Sequence, residues 1–93
     1  MSSIPIPGKL YFSDFADDVL EYEVYDKDKL VGTYRGLTNS DEGGQLIHFL
    51  ISEKPDISVG NILRTKDGLE SFFVRRIEYD RYNGKPELMK AYI

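Results

Sequence analysis

Along most of the chain, hydrophobic and polar positions alternate in short runs broken by turn residues. Leu20, Tyr22 and Val24 alternate with Glu21, Glu23 and Tyr25, a period of two that predicts a half-buried strand. Asp26-Lys27-Asp28-Lys29 is a polar reversal, and Leu30–Leu37 returns with β-branched and aromatic residues, so the pair predicts a hairpin. Thr38–Gln45 is a loop by composition, with Gly43-Gly44 its most mobile point. Leu46–Ser52, a continuous apolar run between turn residues, predicts a strand near the core, and Glu53–Gly60 is a connector containing Pro55. Asn61–Lys66 predicts another strand. It ends at Asp67-Gly68, the strongest hairpin signal, because both central residues of a tight primed turn need positive φ. The next strand, Leu69–Arg81, is long, and its polarity slips phase around Arg75-Arg76, which predicts a bulge or sharp bend. Asn83-Gly84 predicts a second tight turn, and Leu88–Ile93 a closing strand.

The N-terminal stretch reads differently. Ile4-Pro5-Ile6-Pro7-Gly8 fixes two φ angles and removes two donors, which predicts an extended arm over residues 1–12. A single helical turn fits only Ser13–Leu20, where Ser13 can cap, Asp14 and Asp17 favour the first turn, and Phe15 and Val19 lie four apart. Residues 13–93 then form one mainly β domain. About six short strands with tight turns and at most a short helical turn predict a small SH3-like or related β-barrel, with the bent long strand turning its corner.

Length and composition narrow the function. Ninety-three residues make one domain, too small for a deep cleft between two. The chain has no cysteine, which excludes a disulfide framework, a thiolate metal site and a cysteine nucleophile. The opening residues carry no basic, apolar leader pattern, and no run approaches the roughly 20 apolar residues of a membrane-spanning helix. A soluble cytoplasmic protein is the expectation. His48 is the single histidine, and within Leu46–Ile51 it is expected on the polar side of a strand rather than as a base. No Gly-x-Ser-x-Gly elbow and no second histidine supports a triad. The reading is therefore of a non-enzymatic chain with no catalytic residue, cofactor, metal or small-molecule substrate.

The net charge is −4, but its distribution is uneven. Between Asp14 and Asp28 stand seven acidic residues and one basic, whereas Arg64–Ile93 holds seven basic and five acidic. Asp14, Asp17, Asp18 and Glu21 form the candidate acidic recognition face; Asp26 and Asp28 begin like a calcium loop, but Leu30 and Gly32 break the pattern. Arg75, Arg76, Arg81, Tyr79 and Tyr82 form a candidate aromatic and basic face of the composition that nucleic-acid barrels use, although Glu70, Glu78 and Asp80 stand ready to pair with its arginines. Ile4 and Ile6 are candidate anchors of the arm, through which copies would self-associate, the acidic face of one meeting the Arg75–Arg81 face of another.

Pro55-Asp56-Ile57-Ser58-Val59-Gly60-Asn61-Ile62-Leu63, then Asp67-Gly68, Phe73-Val74 and Gly84-Lys85-Pro86, give Leu46–Ile93 a pattern that resembles the small β-barrel proteins joining tailed-phage heads to tails, the head-completion or stopper proteins. The resemblance covers about half of the chain. It implies a ring-forming structural role, a virion-associated location and no catalytic residues; the acidic N-terminal third does not match it. The expected function is thus a protein–protein interaction or structural module, of connector type if the resemblance holds. The alternatives are a small acidic phage or mobile-element inhibitor of a host nucleic-acid-handling protein, and a nucleic-acid-binding barrel.

Overall fold

A computed structural model describes residues 2–93. Strand β1 (Ser2–Ser3) leads to helix α1 (Gly8–Asp14) and a 3-10 turn at Ala16–Asp18. Strands β2 (Val19–Asp26), β3 (Lys29–Asp41) and β4 (Gly44–Leu50) follow, then a second 3-10 turn at Ile51–Glu53. The chain ends with β5 (Ile62–Thr65), β6 (Ser71–Phe73), β7 (Arg76–Tyr82) and β8 (Lys85–Tyr92). Seven strands make one antiparallel sheet in the order β7-β8-β4-β3-β2-β5-β6, and β1 joins its β7 edge in parallel. The fold is mainly β, as the alternation predicts.

One face of this sheet builds the main core. Tyr22 and Val24 of β2, Ile47 and Phe49 of β4, Leu63 of β5, and Met89 and Ala91 of β8 are buried in one cluster with Ile57 and Val74. Phe72 of β6 and Ile77 of β7 pack on the same cluster. Strands from both ends of the order thus share one core, so the sheet must curl around it. Tyr22 and Phe49 meet edge-on at 5.9 Å, a favoured aromatic arrangement. The curl does not close by pairing. β6 bonds to β5 and β7 bonds to β8, and only Val74-Arg75 lies between them. The bend expected near Arg75-Arg76 is this junction, and the sheet is open where a barrel was expected.

Two expectations are corrected. Residues 8–14 are helical rather than part of an extended arm, and Val19–Leu20 already belongs to β2 rather than to a helical turn. Pro7, with φ −57°, stands at the N-cap of α1, where a missing N–H costs nothing, so the proline run starts a helix instead of preventing one. Ser13 lies inside α1 and caps nothing. The helix is held by tertiary contact: Phe12 is buried with Leu37, Leu50 and Leu88 on the outer face of the sheet, and Ile4, Tyr11 and Val19 pack around them. Gly8 lets the backbone approach β8 closely, its N–H donating to Glu87 Oε1 at 3.1 Å. A Cβ there would lie 3.0 Å from the Leu88 side chain.

The second correction concerns Thr38–Asp41, polar enough to read as loop but paired with Gly44–Ile47 as the end of β3. Inter-strand bonding and the partners of the Asp41 side chain override its composition. The Asn83-Gly84 turn stands as expected, both residues having positive φ between β7 and β8. At Asp67-Gly68 the chain does reverse, but only Gly68 has positive φ (+78°), and residues 66–70 form a five-residue loop between β5 and β6 rather than a two-residue primed turn.

Candidate interaction site

Helix α1, the 3-10 turn after it and the β2–β3 pair enclose a groove of about 670 Å³. Its apolar lining is Tyr11 and Phe15 from the helical segment, Leu20 from β2 and Leu37 from β3; Asp17 and Asp18 stand on its rim. Tyr11 and Phe15 are four residues apart, hence neighbours on one side of the segment, and the Phe15 N–H donates to the Tyr11 carbonyl at 3.1 Å. Phe12 turns the other way, into the sheet. That division leaves Phe15 51 % exposed and Leu20 46 % exposed, side by side with two carboxylates. No Lys, Arg or His lines the groove among the described residues.

The structure therefore brings together part of the expected acidic face. Asp17 and Asp18 sit on the groove and Asp14 ends the helix before it. Glu21 points from β2 to Lys66, at 2.8 Å, and this bond raises the lysine pKa. Leu20 and Leu37 on the groove wall are what the sequence reading missed. Leu20 shares the parity of Tyr22 and Val24 and reads as core, but it lies at the start of β2 and stays about half exposed.

The aromatic and basic set is not gathered into one face. Arg76, Glu78 and Asp80 share one side of β7, and Ile77 and Tyr79 share the other, as the two-residue strand period requires. The arginines are committed within the chain. Arg75 Nε donates to the Ile93 carbonyl at 3.0 Å, and Arg81 donates to the Gly84 carbonyl at 3.2 Å. Arg76 pairs with Glu78 at 3.0 Å and lies 4.1 Å over the Tyr92 ring. Tyr79 is exposed, while Tyr82 is partly covered in a pocket with Pro7, Lys9 and Glu87. The arm is folded back on its own chain. Ser2 and Ser3 pair with Asp80 and Arg81, the Ile4 N–H donates to the Arg81 carbonyl at 2.8 Å, and the Ile4 side chain joins the Phe12 cluster. Ile6 is half-buried.

A second polar constellation lies on the outer face, beside α1. His48, Asp80 and Lys90 are all buried there. Lys90 Nζ donates to Asp41 Oδ2 at 3.0 Å and lies 3.7 Å from Asp80 Oδ1; His48 Nε2 is 3.3 Å from Asp80 Oδ2. The Tyr92 hydroxyl donates to Asp41 Oδ2 at 2.6 Å. These bonds, Tyr92 foremost, hold the Asp41 pKa down to about 2 against the opposing effect of desolvation. Burial pushes the His48 pKa down, and the Asp80 carboxylate pulls the other way without reversing it. Burial opposes the charge on Lys90 as well, but Tyr92, Asp41 and Asp80 outweigh it and its pKa is raised. His48 thus does lie on the polar side of its strand, but covered rather than solvated. Among the described residues no serine or threonine hydroxyl hydrogen-bonds His48, no His, Asp and Glu side chains cluster as a metal site, and no helix is long and apolar enough to cross a membrane. Comparison with protein-family models, with curated proteins and with solved structures finds no match to this chain.

Proposed function

We propose that this chain is a protein-binding module whose recognition site is the acidic, apolar groove between α1 and the β2–β3 pair. The observation that carries the reading is the adjacency of Phe15 and Leu20, both about half exposed, with Asp17 and Asp18 on the same groove. An exposed apolar cleft with carboxylates and no cation on its walls complements a partner segment bearing one or two large apolar anchors and nearby Lys or Arg. The acids then steer and orient while the apolar contacts supply affinity. The scaffold fits the small-barrel reading in one respect: the Gly60 N–H donates to the Val74 carbonyl, and the next N–H, Arg75, donates to the Tyr92 carbonyl, so one bent segment links the two halves of the curled sheet. The structural role implied by the head-completion resemblance is one setting for such a groove. The internal commitments of Arg75, Arg76 and Arg81 weigh against a nucleic-acid surface on β7.

The test is NMR titration of the labelled chain with a panel of amphipathic peptides, basic, neutral and acidic. Basic members are expected to shift the resonances of Tyr11, Phe15, Leu20 and Leu37, with affinity falling as salt rises. Shifts that appear elsewhere, or with acidic peptides equally, end the reading.

A further inference from the structure

The outer face of β3-β2-β5-β6 carries an apolar row that belongs to neither core cluster. The pairings Leu30↔Tyr25, Tyr25↔Ile62 and Ile62↔Phe73 place these four side chains opposite one another across four strands. Their neighbours Val24, Leu63 and Phe72 turn inward to the core, so Tyr25, Ile62 and Phe73 face outward, and the register shift after Val24 sets Leu30 opposite Tyr25 on that side. None of the four belongs to either core cluster, and Leu30 is 49 % and Phe73 55 % exposed. At about 4.8 Å between strands, four strands make a stripe on the order of 15–20 Å long.

The charges beside the stripe identify its occupant. In the next outward row, Glu23 of β2 stands opposite Arg64 of β5, and beyond it Glu21 of β2 is paired with Lys66, the residue after β5. In both rows the acid lies on β2 and the base on β5 or its extension. A two-fold axis in the plane of the stripe, parallel to the strands and between β2 and β5, places β2 of one copy over β5 of the other. Tyr25 then covers Ile62, Leu30 covers Phe73, and Glu23 meets Arg64, each contact occurring twice. Opposite signs coincide at the β2 and β5 positions of both charged rows, and apolar residues coincide in the stripe. We propose that this face is an isologous docking surface for a second copy of the chain. The surface is separate from the groove between α1 and β2–β3, and it uses neither the N-terminal arm nor the Arg75–Arg81 segment. Its extent is at the low end of specific interfaces, so the dimer is weak and forms with rising concentration.

Sedimentation velocity on the full chain over a wide concentration range tests this. The expected result is a reversible rise of the average sedimentation coefficient toward that of a dimer. Phe73→Ser with Leu30→Lys removes the rise; both positions are exposed, and thermal melts verify that the fold survives. Glu23→Arg alone and Arg64→Glu alone each weaken association at least about tenfold, because each sets like charges against one another twice. The double exchange, Glu23→Arg with Arg64→Glu, restores it. Phe15→Ala in the groove leaves association unchanged, which separates this surface from the groove. A chain that stays monomeric at the highest concentration overturns the proposal. So does undiminished association in the variant combining Phe73→Ser with Leu30→Lys, or in either single charge reversal.

Discussion

Tyr92 and Asp41 lie 51 residues apart in sequence, yet the tyrosine hydroxyl donates to the aspartate carboxylate at 2.6 Å. The contact joins the last strand to the tip of the β3–β4 hairpin and completes a chain in which Lys90 binds Asp41 and approaches Asp80. Because the folded carboxyl titrates at about 2 rather than near its ordinary 3.8, its contribution to stability is present above the ordinary value. It is lost as pH falls from there through about 2. Urea unfolding at a series of acidic pH values is expected to show the wild-type midpoint falling across this window. Asp41→Asn is expected to be less stable at neutral pH and flatter in acid. Lys90→Met, which strips both carboxylates of their buried cation, is expected to cost about 3 kcal/mol at neutral pH.

His48 gives stability a second dependence on pH, at higher values. Burial keeps its folded pKa below the ordinary 6.5, so the unfolded chain takes up the proton more readily. Stability is therefore full above the ordinary pKa, falls as pH drops through it, and levels off below the folded pKa. The slope is at most about 1.4 kcal/mol per pH unit. His48→Gln removes this slope and leaves the acid limb of Asp41 in place. Urea midpoints at about pH 7.5 and pH 5.5 lie on either side of the ordinary pKa and measure the fall; a wild-type midpoint unchanged between them means that the Asp80 carboxylate compensates the buried imidazolium in full.

How much was legible in the sequence depended on how local each cause was. The β2 alternation, the Asn83-Gly84 turn and the break before Arg76 depend on neighbouring residues, and each stands where expected. The N-terminal helix was misplaced because its cause is distant: Phe12 is buried only against Leu37, Leu50 and Leu88. The polar constellation was invisible for the same reason. Lys90 reads as an exposed strand lysine until β4 and β8 pair and set it opposite His48. Of the candidate sites, Asp17 and Asp18 proved to stand beside apolar groove walls, whereas the residues chosen on β7 were divided between its two faces. Composition identifies charged residues but not the side of a strand they share.

Gly36 is a packing position rather than a turn. It is buried in β3, and a Cβ there would lie 2.7 Å from Ile47 Cγ2 and 2.8 Å from Tyr22 Cδ2, two fully buried side chains with nowhere to retreat. Gly36→Ala is expected to destabilise by about 1–3 kcal/mol through overpacking. Pairing it with Ile47→Val, which removes a methyl group from that residue, is expected to recover part of the loss. Thermal melts of the two single variants and the double variant measure the coupling; strict additivity would mean that the strain is relieved elsewhere.

Phe12 links the stability of α1 to the groove. Seven residues are too few for a helix to persist alone in water, so α1 (Gly8–Asp14) depends on the burial of Phe12 against Leu37, Leu50 and Leu88. Phe12→Ala removes that anchor and leaves a cavity on the outer face, at an expected cost of about 3 kcal/mol. The main core, built around Tyr22 and Phe49 on the opposite face of the sheet, does not include Phe12. Hydrogen exchange is therefore expected to show α1 losing protection while β2, β4 and β8 keep most of theirs. Tyr11 and Phe15 are carried on the same segment, so peptide binding is expected to fall further in Phe12→Ala than the small change in groove-wall chemistry accounts for. Retention of full protection in α1 together with loss of binding would show instead that Phe12 acts on the groove directly.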